Sequence, residues 1–219
     1  DIKEVIMKTL IIAGGIYKED FVKEYICPDD YNYIIAVDKG LSYTESLNLF
    51  PDLIVGDFDS VRNSILSGYD SKIIRRYKPE KDDTDMEIAM KQAVIKNQPI
   101  DVLCATGGRA DHFLGNIHTL KIAMDAGLHA EIIDENNRIF LIDKEYEFEK
   151  GVGKYVSFIP FSGAVKGITL KGFRYNVEKF TLNPGSTRCV SNEVSEKKAA
   201  IHIDEGCLIA VIASDVKSE

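Results

Sequence analysis

Two aspartates, Asp57 and Asp59, directly follow a run of apolar residues in the segment PDLIVGDFDS. In extended backbone, side chains two positions apart point the same way. Two like charges about 4 Å apart repel by roughly 4 kcal/mol at an effective dielectric constant of about 20. A cation between the carboxylates would explain the pair, and oxygen ligands suit a hard ion, Mg²⁺ or Mn²⁺. The spacing therefore predicts a metal site that holds the phosphates of a substrate.

A second acidic segment, KDDTDMEIAM, begins at Lys81. Thr84 and Glu87 form a capping box at the start of a predicted helix, so a structural role explains both residues. Asp82 and Asp85 are harder to explain in this way. A helix N-terminus favours an acidic residue by about 0.3 to 1 kcal/mol, but three aspartates in four residues exceed what capping requires. Together with Lys81 they predict a site for metal and phosphate.

Gly107, Gly108 and Arg109 lie between a predicted strand and a predicted helix in the segment TGGRADHFLGN. Backbone N–H groups at the N-terminus of a helix bind phosphate, and the planar guanidinium group of arginine matches phosphate oxygens. Asp111, near the same helix start, adds a carboxylate to this region. The Walker A pattern G-x-x-x-x-G-K-[ST] occurs nowhere in the chain. The segment therefore predicts a phosphate-binding loop of another kind.

Short apolar segments alternate with helical segments over about the first 135 residues. Continuously apolar strands are typical of parallel strands covered on both faces, and the alternation predicts an open parallel-sheet α/β domain, residues 7–135. Predicted helices cover 84–97 and 111–126, and the second ends before Gly127. The predicted strands have the sequences KTLIIAGG, YIIAVD, DLIVGD, KIIRRY, DVLCATGG and HAEIID.

The acidic and glycine-rich segments follow five of these strands, at the edge where open parallel sheets bind ligands. They are AGG, DKG (with Asp38), GDFDS, KPEKDDTD and TGGRADH. Glycine and aspartate are also common turn residues, which is the better explanation for any one of these loops taken alone. Five such loops at one edge of the sheet favour a ligand site instead.

Beyond about residue 137 the helical period disappears, and apolar segments follow one another with Gly, Pro and Asn between them. This pattern predicts a C-terminal antiparallel β-sandwich domain, residues 137–219. The boundary falls in the polar segment DENNR. The predicted strands have the sequences RIFLID, YEFEK, YVSFIPF, GITLKG, EKFTLN, RCVSNEV, AAIHID and CLIAVIAS.

The chain carries a net charge of −8, from 27 Lys and Arg against 35 Asp and Glu, which argues against nucleic acid as a partner. No apolar run approaches the roughly 18 residues of a membrane span. The four cysteines show no C-x-x-C spacing, which favours buried free thiols and a cytoplasmic location. His112 and His118 are not at the i, i+4 spacing of paired ligands, which disfavours a histidine zinc site. The residues before Met7 are assigned no function.

Six motifs resemble the thiamine pyrophosphokinase family, in the same order: DKG, PDLIVGDFDS, KDDTD, TGGRADHFLGN, GITLKGFRYNV and SNEV. The resemblance extends over nearly the whole chain from Met7. It implies an ATP-binding α/β domain and a thiamine-binding β-sandwich domain, in a homodimer whose active sites lie between subunits. It also implies Mg²⁺-dependent transfer of the pyrophosphoryl group of ATP to the hydroxyl oxygen of thiamine, giving thiamine diphosphate and AMP.

The resemblance also implies roles for individual residues. Metal binding and catalysis would involve four aspartates: Asp57, Asp59, Asp85 and Asp111. ATP would be contacted by Lys81, Asp82, Thr84, Gly107, Gly108 and Arg109. Thiamine would be contacted by Ser191 and Asn192. The chain contains no Trp, so an aromatic ring that packs on thiamine must belong to a Tyr or Phe.

Two other functions fit parts of the sequence. A Mg²⁺-dependent nucleotide hydrolase would use the same metal motifs with water as the acceptor, but it has no need of the SNEV segment. A non-catalytic sensor would bind thiamine or nucleotide tightly without turnover. Incubation with ATP, Mg²⁺ and thiamine, followed by detection of AMP and thiamine diphosphate, separates the three hypotheses.

Overall fold

The computed structural model describes residues 6–58, 63–76 and 82–215. The chain divides into two compact units, Asp1–Glu135 and Asn136–Glu219. Within the described ranges, no helix is long and apolar enough to cross a membrane.

The strands described in the first unit are β1 (Lys8–Ile12), β2 (Tyr31–Val37), β3 (Leu53–Gly56), β4 (Ile74–Arg76), β5 (Ile100–Leu103) and β6 (Ala130–Ile133). They lie in the order β4-β3-β2-β1-β5-β6, and every neighbouring pair is parallel. The strands β3, β5 and β6 are buried along their whole length, as expected for apolar strands covered on both faces. All the predicted strands of this unit are present, and the parallel-sheet α/β class is confirmed.

Helices connect these strands: α1 (Glu19–Tyr25), α2 (Gly40–Ser46), α3 (Asn63–Leu66), α4 (Asp85–Ala93) and α5 (Ala110–Asp125). Turns of 3₁₀ helix cover Pro28–Asp30, Ser71–Ile73 and Val94–Lys96. The helices predicted at 84–97 and 111–126 are confirmed, the first as α4 with its following 3₁₀ turn and the second as α5.

The helix ends follow their local sequence signals. Thr84 is the N-cap of α4, and its Oγ1 accepts a hydrogen bond from the N–H of Glu87 at 3.2 Å. This satisfies one of the four N–H groups that a helix start leaves without a partner. Gly127 follows the C-cap of α5 with φ 74, the left-handed geometry that glycine adopts most easily.

The strands described in the second unit are antiparallel: β7 (Asn137–Ile142), β8 (Glu145–Glu149), β9 (Tyr155–Pro160), β10 (Val165–Lys171), β11 (Val177–Leu182), β12 (Lys198–His202) and β13 (Leu208–Ala213). β13 pairs with β7 and β9, and a second sheet has the order β11-β10-β12-β8. One apolar cluster joins the two groups of strands. It includes Phe140, Phe158 and Ala210 from β7, β9 and β13, and Phe148 and Leu170 from β8 and β10. The predicted antiparallel β-sandwich is confirmed.

The prediction of a strand at RCVSNEV is wrong. This segment is rich in turns, with isolated bridges that pair Asn192 with Val156 and Val194 with Phe173. Ser191 has φ 58, which interrupts extended backbone. The side chain of Asn192 bonds to the backbone of Tyr175, so a side chain and not a ladder of backbone hydrogen bonds fixes the segment.

Candidate active site

The end of β3 positions Asp57. The strand ends at Gly56, Asp57 is half-buried, and Phe58 has φ 63. Left-handed backbone at Phe58 ends the alternation of side chains, so the expectation of extended backbone from Asp57 to Asp59 is wrong. Asp59 lies outside the described residues, and its pairing with Asp57 stays a prediction.

The end of β2 places a further carboxylate beside Gly56, the residue before Asp57. The register pairs Val37 with Val55, so Asp38 lies beside Gly56. The N–H of Asp38 donates to the Val55 carbonyl at 2.9 Å, and a Cβ atom on Gly56 would lie 2.1 Å from Oδ1 of Asp38. A larger residue at position 56 would force this carboxylate to shift. In the sequence, the DKG motif indicated only that Asp38 follows a strand. The close approach of the Asp38 carboxylate to Gly56 adds this residue to the candidate site.

Backbone hydrogen bonds join the loops after β1 and β5. The N–H of Gly15 donates to the Cys104 carbonyl at 2.7 Å, and the N–H of Ile16 donates to the Thr106 carbonyl at 3.1 Å. A Cβ atom on Gly15 would lie 2.5 Å from the Cys104 oxygen, so this approach requires glycine. These two loops therefore form one continuous surface at the carboxyl edge of the sheet.

The loop after β2 packs against the end of β1. A Cβ atom on Gly40 would lie 2.0 Å from the carbonyl oxygen of Ile12, and the hydroxyl of Tyr43 donates to the Gly15 carbonyl at 3.0 Å. Together with the contact between Asp38 and Gly56, this packing brings together the loops that follow β1, β2, β3 and β5.

Strained backbone lies at three of these strand ends. Asp38, Phe58 and Cys104 have φ values of 48, 63 and 57. Left-handed backbone at a residue other than glycine costs about 1 to 3 kcal/mol and concentrates at functional sites. Burial raises the pKa of the Cys104 thiol to about 12, so this cysteine stays protonated at neutral pH and is no nucleophile. The strain therefore favours this edge of the sheet as the candidate site.

The loop before α5 presents backbone donors. Gly107 and Gly108 have φ values of 74 and 66, and Arg109 is the N-cap residue of the helix. In the part of the chain that the structure describes, the N–H groups of Gly107 and Gly108 have no hydrogen-bond acceptor. Such groups, next to the positive end of a helix dipole, are suited to bind an anion.

Arg109 and Asp111 form an exposed ion pair. Nε of Arg109 lies 3.1 Å from Oδ1 of Asp111, and Nη2 lies 2.5 Å from Oδ2. The hydrogen bond from Arg109 lowers the pKa of Asp111 to about 2, so the carboxylate is ionised at neutral pH. The other N–H groups of this exposed guanidinium are not used by Asp111 and can bind a phosphate beside the ion pair.

The start of α4 carries the second acidic motif. Asp85 is the first residue of the helix and is half-buried, while Asp82 is exposed. The capping role of Thr84 is confirmed. Its contact with ATP, like the ligand roles of Asp82 and Asp85, stays a prediction. Lys81 lies outside the described residues.

The donor chemistry at the strand ends fits a hard divalent cation. Asp38 and Asp57 follow adjacent strands and offer carboxylate oxygens, the ligands that Mg²⁺ prefers. Within the described ranges, no group of three or more His, Cys, Asp and Glu side chains is placed to hold a metal ion. A complete ligand set would thus need Asp59, water or substrate phosphates.

A cavity of about 440 Å³ lies in the second unit. Among the residues that line it are Arg174, Tyr175, Asn176, Arg188, Cys189 and Asn192. Asn192 is 3% exposed, and its Nδ2 donates to the Tyr175 carbonyl at 2.8 Å. Its Oδ1 accepts from the N–H groups of Tyr175 and Glu193 at 3.0 and 2.9 Å. The amide of Asn192 therefore fixes the backbone that carries the Tyr175 ring.

Ser191 and Asn192 differ in their surroundings although they are neighbours. The side chain of Ser191 is exposed, and the backbone N–H of Ser191 donates to Oγ of Ser157 at 2.9 Å. The structure leaves the Ser191 hydroxyl accessible, whereas it buries the Asn192 amide in contacts with its own unit. Direct contact of both residues with a substrate stays a prediction.

Two family models match the chain. "Thiamin pyrophosphokinase, catalytic domain" matches residues 27–132, and "Thiamin pyrophosphokinase, vitamin B1 binding domain" matches residues 140–208. The chain belongs to the thiamine pyrophosphokinase family. The resemblance carried by the six sequence motifs is therefore confirmed, and the protein is an enzyme.

Individual members of the thiamine pyrophosphokinase family are similar over most of the chain. The thiamine pyrophosphokinase of Bacillus subtilis (strain 168) is 35% identical over 217 residues, which are 95% of this chain and 100% of that protein. A thiamine pyrophosphokinase of rice (Oryza sativa subsp. japonica) is 28% identical over 170 residues, 70% of this chain and 63% of that one.

Solved structures of the family share the fold. The crystal structure of the Bacillus subtilis thiamine pyrophosphokinase superposes with a TM-score of 0.83 at 32% identity and covers 95% of this chain and 100% of that one. The yeast enzyme superposes with a TM-score of 0.74 at 16% identity, covering 97% of this chain and 88% of that one. At such low identity the yeast structure supports the fold alone.

Proposed function

We propose that the protein transfers the pyrophosphoryl group of ATP to the hydroxyl group of thiamine in a Mg²⁺-dependent reaction, giving thiamine diphosphate and AMP. The observation that carries this proposal is the meeting of the strand ends in the first unit. There, Asp38 and Asp57 follow adjacent strands, and Gly107 and Gly108 present N–H groups to the same edge. Membership of the thiamine pyrophosphokinase family supports thiamine as the acceptor.

The metal would be held by carboxylates of the first unit. The candidates are Asp38, Asp57, Asp59, Asp85 and Asp111. Bound there, Mg²⁺ would supply neutralisation of the negative charge on the ATP phosphates. Mn²⁺ prefers the same oxygen ligands and would serve as a substitute.

The loop before α5 binds the phosphates of ATP in this proposal. The N–H groups of Gly107 and Gly108 donate to phosphate oxygens, and so do the N–H groups of Arg109 that Asp111 does not use. Residues at the start of α4 contribute further contacts: Lys81, Asp82 and Thr84. The hydroxyl oxygen of thiamine attacks the β-phosphorus, and the bond from the β-phosphorus to the oxygen that bridges it to the α-phosphorus breaks. AMP leaves with that oxygen, and the hydroxyl proton is released to solvent. Catalysis is then mainly positioning and charge neutralisation.

Thiamine binds at the cavity of the second unit in this proposal. Tyr175 is 59% exposed and lines the cavity, so its ring is available to pack on the aromatic rings of the substrate. The exposed Ser191 contacts thiamine directly, while Asn192 acts by holding the backbone of Tyr175. The match of residues 140–208 to a vitamin B1 binding domain supports this assignment.

We further propose that the enzyme is a cytoplasmic homodimer in which each active site uses residues of both subunits. The resemblance to the family implied this arrangement. Two partly exposed apolar side chains of the second unit, Ile159 and Val190, are available to such an interface, since each is 42% exposed.

The reaction is tested by incubating the protein with ATP, Mg²⁺ and thiamine and separating the products by chromatography. We expect AMP and thiamine diphosphate in equal amounts, with neither formed when thiamine is omitted. ADP with thiamine monophosphate would show that attack falls on the γ-phosphorus. Nucleotide cleavage without thiamine would favour the hydrolase, and tight binding without products would favour the sensor.

The shared active site is tested by mixing two inactive variants. Asp57→Asn impairs the metal site of the first unit, and Tyr175→Ala impairs the acceptor site of the second. Random exchange makes half of the dimers mixed, each with one intact composite site, so about a quarter of wild-type activity should return. If mixed dimers form and activity stays at the level of the separate variants, both halves of the site belong to one subunit.

A further inference from the structure

The β5–α5 loop is held through its carbonyl groups. Ala105 is 3% exposed and lies between Cys104, with φ 57, and Gly107, with φ 74. Its carbonyl oxygen accepts a hydrogen bond from Nδ2 of Asn116 at 2.8 Å. A carbonyl can only accept, so the NH₂ group of Asn116 is necessarily the side that faces it.

Three successive carbonyl groups of this loop receive donors from outside it. The carbonyls of Cys104 and Thr106 accept from the N–H groups of Gly15 and Ile16, and the carbonyl of Ala105 accepts from Asn116. Two of these donors are backbone N–H groups, those of Gly15 and Ile16. Asn116 provides the one side-chain donor of the three, and it projects from α5, the helix whose N-terminus the loop enters.

We propose that Asn116 is a positioning residue for the phosphates of the nucleotide. By holding the Ala105 carbonyl, it fixes the direction of the N–H groups of Gly107 and Gly108 and the place where Arg109 enters α5. Asn116 itself does not touch the substrate. This inference rests on the proposed function, because it requires that the loop binds ATP.

The test compares two substitutions of Asn116 with a control on the same helix. Asn116→Asp keeps the shape of the side chain but replaces its donor with a charged carboxylate oxygen, whereas Asn116→Ala removes the polar group without adding a charge. A rise in the KM for ATP that both variants share is therefore not due to repulsion between a new carboxylate and ATP. In both variants a buried carbonyl loses its partner, a change expected to raise the KM for ATP by about 10- to 100-fold. The KM for thiamine should stay within about twofold. Thr119→Val is the control, since Oγ1 of Thr119 donates its one proton to the backbone carbonyl of Asn116 at 2.7 Å, inside the helix, and not to a carbonyl of the loop.

A double variant distinguishes positioning from an independent contact. If Asn116 acts by placing the loop that carries Arg109, the rise in the KM for ATP of Asn116→Asp with Arg109→Gln should be smaller than the product of the two single rises, because both substitutions disturb one loop. If the rise in the KM for ATP of the double variant equals the product of the two single rises, the proposal is overturned. The same holds for a folded Asn116→Asp protein with the wild-type KM for ATP, or for equal rises in the KM for ATP and for thiamine.

Calorimetric titration with ATP and Mg²⁺ separates this inference from the proposed reaction. If the wild type binds ATP but forms no thiamine diphosphate, the proposed reaction fails. The weaker binding of ATP by Asn116→Asp, with unchanged binding by Thr119→Val, would still support the positioning role. A wild-type protein that binds no nucleotide would overturn both.

Discussion

Replacement of Asn192 by alanine distinguishes a positioning role from direct contact with thiamine. The amide makes three hydrogen bonds of 2.8, 2.9 and 3.0 Å to backbone groups of Tyr175 and Glu193, and the residue is 3% exposed. A buried group that loses its partner costs about 1 to 3 kcal/mol. Because the exposed Tyr175 loop can relax towards water, we expect the lower part of that range for each bond. The free energy of unfolding of the second unit should therefore fall by about 3 to 5 kcal/mol.

Hydrogen exchange of the amides in β9 to β13, followed by mass spectrometry, measures this loss in the second unit separately from the first. Asn192→Asp keeps both acceptor bonds but sets a buried carboxylate oxygen against the Tyr175 carbonyl, so its expected loss is at least about 2 to 3 kcal/mol. Ser191→Ala is the matched control. It should change the unfolding free energy by less than about 0.5 kcal/mol and still raise the KM for thiamine.

The opposite pattern would refute this reasoning. If Asn192→Ala kept the wild-type exchange protection and still raised the KM for thiamine, the amide would be contacting the substrate and not holding Tyr175. The direct role implied by the family resemblance would then be correct for both residues of the Ser191–Asn192 pair.

Three further predictions concern the first unit. Asp57→Asn should lower turnover by at least about 100-fold with the melting temperature nearly unchanged, and wild-type turnover would remove Asp57 from the metal site. Burial raises the pKa of Tyr31 far above its usual value, and the charge of Asp101 and its hydrogen bond to Tyr31 raise it further. Above about pH 10 the unfolded state therefore loses this proton first, and stability falls by up to about 1.4 kcal/mol per pH unit. Urea unfolding between pH 8 and 11 should show a shallower fall for Tyr31→Phe, and an unchanged slope would contradict the shift. Gly107→Ala should lower the melting temperature, because φ is 74 and the new Cβ would lie 2.2 Å from Cδ1 of Ile16. Ile16→Ala in the same chain should restore part of the loss, and no restoration would count against the clash.

The elements of the first unit were predictable because their signals are local. The segment LIVG is apolar throughout and lies in a strand buried on both faces, and Thr84 with Glu87 marked the start of α4. Only neighbouring residues are needed for such inferences. The edge of the sheet at which the acidic and glycine-rich loops gather follows from the parallel order of the strands.

The geometry within the site was not predictable, because it depends on contacts between distant residues. Asn192 fixes the backbone of Tyr175 across 17 positions, and this bond replaces the strand predicted there. The left-handed backbone of Phe58 has no signature in a motif that otherwise continues a strand. Asp38 gained a place in the site only through its packing on Gly56. Turn types and side-chain bonds of this kind are decided by tertiary packing and not by local preference.

The left-handed residues at the ends of β2, β3 and β5 also affect the thermal inactivation of the enzyme. If their costs add, they hold roughly 3 to 9 kcal/mol of unfavourable backbone energy, comparable with the net stability of about 5 to 15 kcal/mol of a whole protein. Opening of the loops releases this energy while the buried strands beneath stay paired. Heat inactivation should therefore begin as a local melting of one rim of the sheet. It should be reversible on cooling and complete before the strands themselves separate.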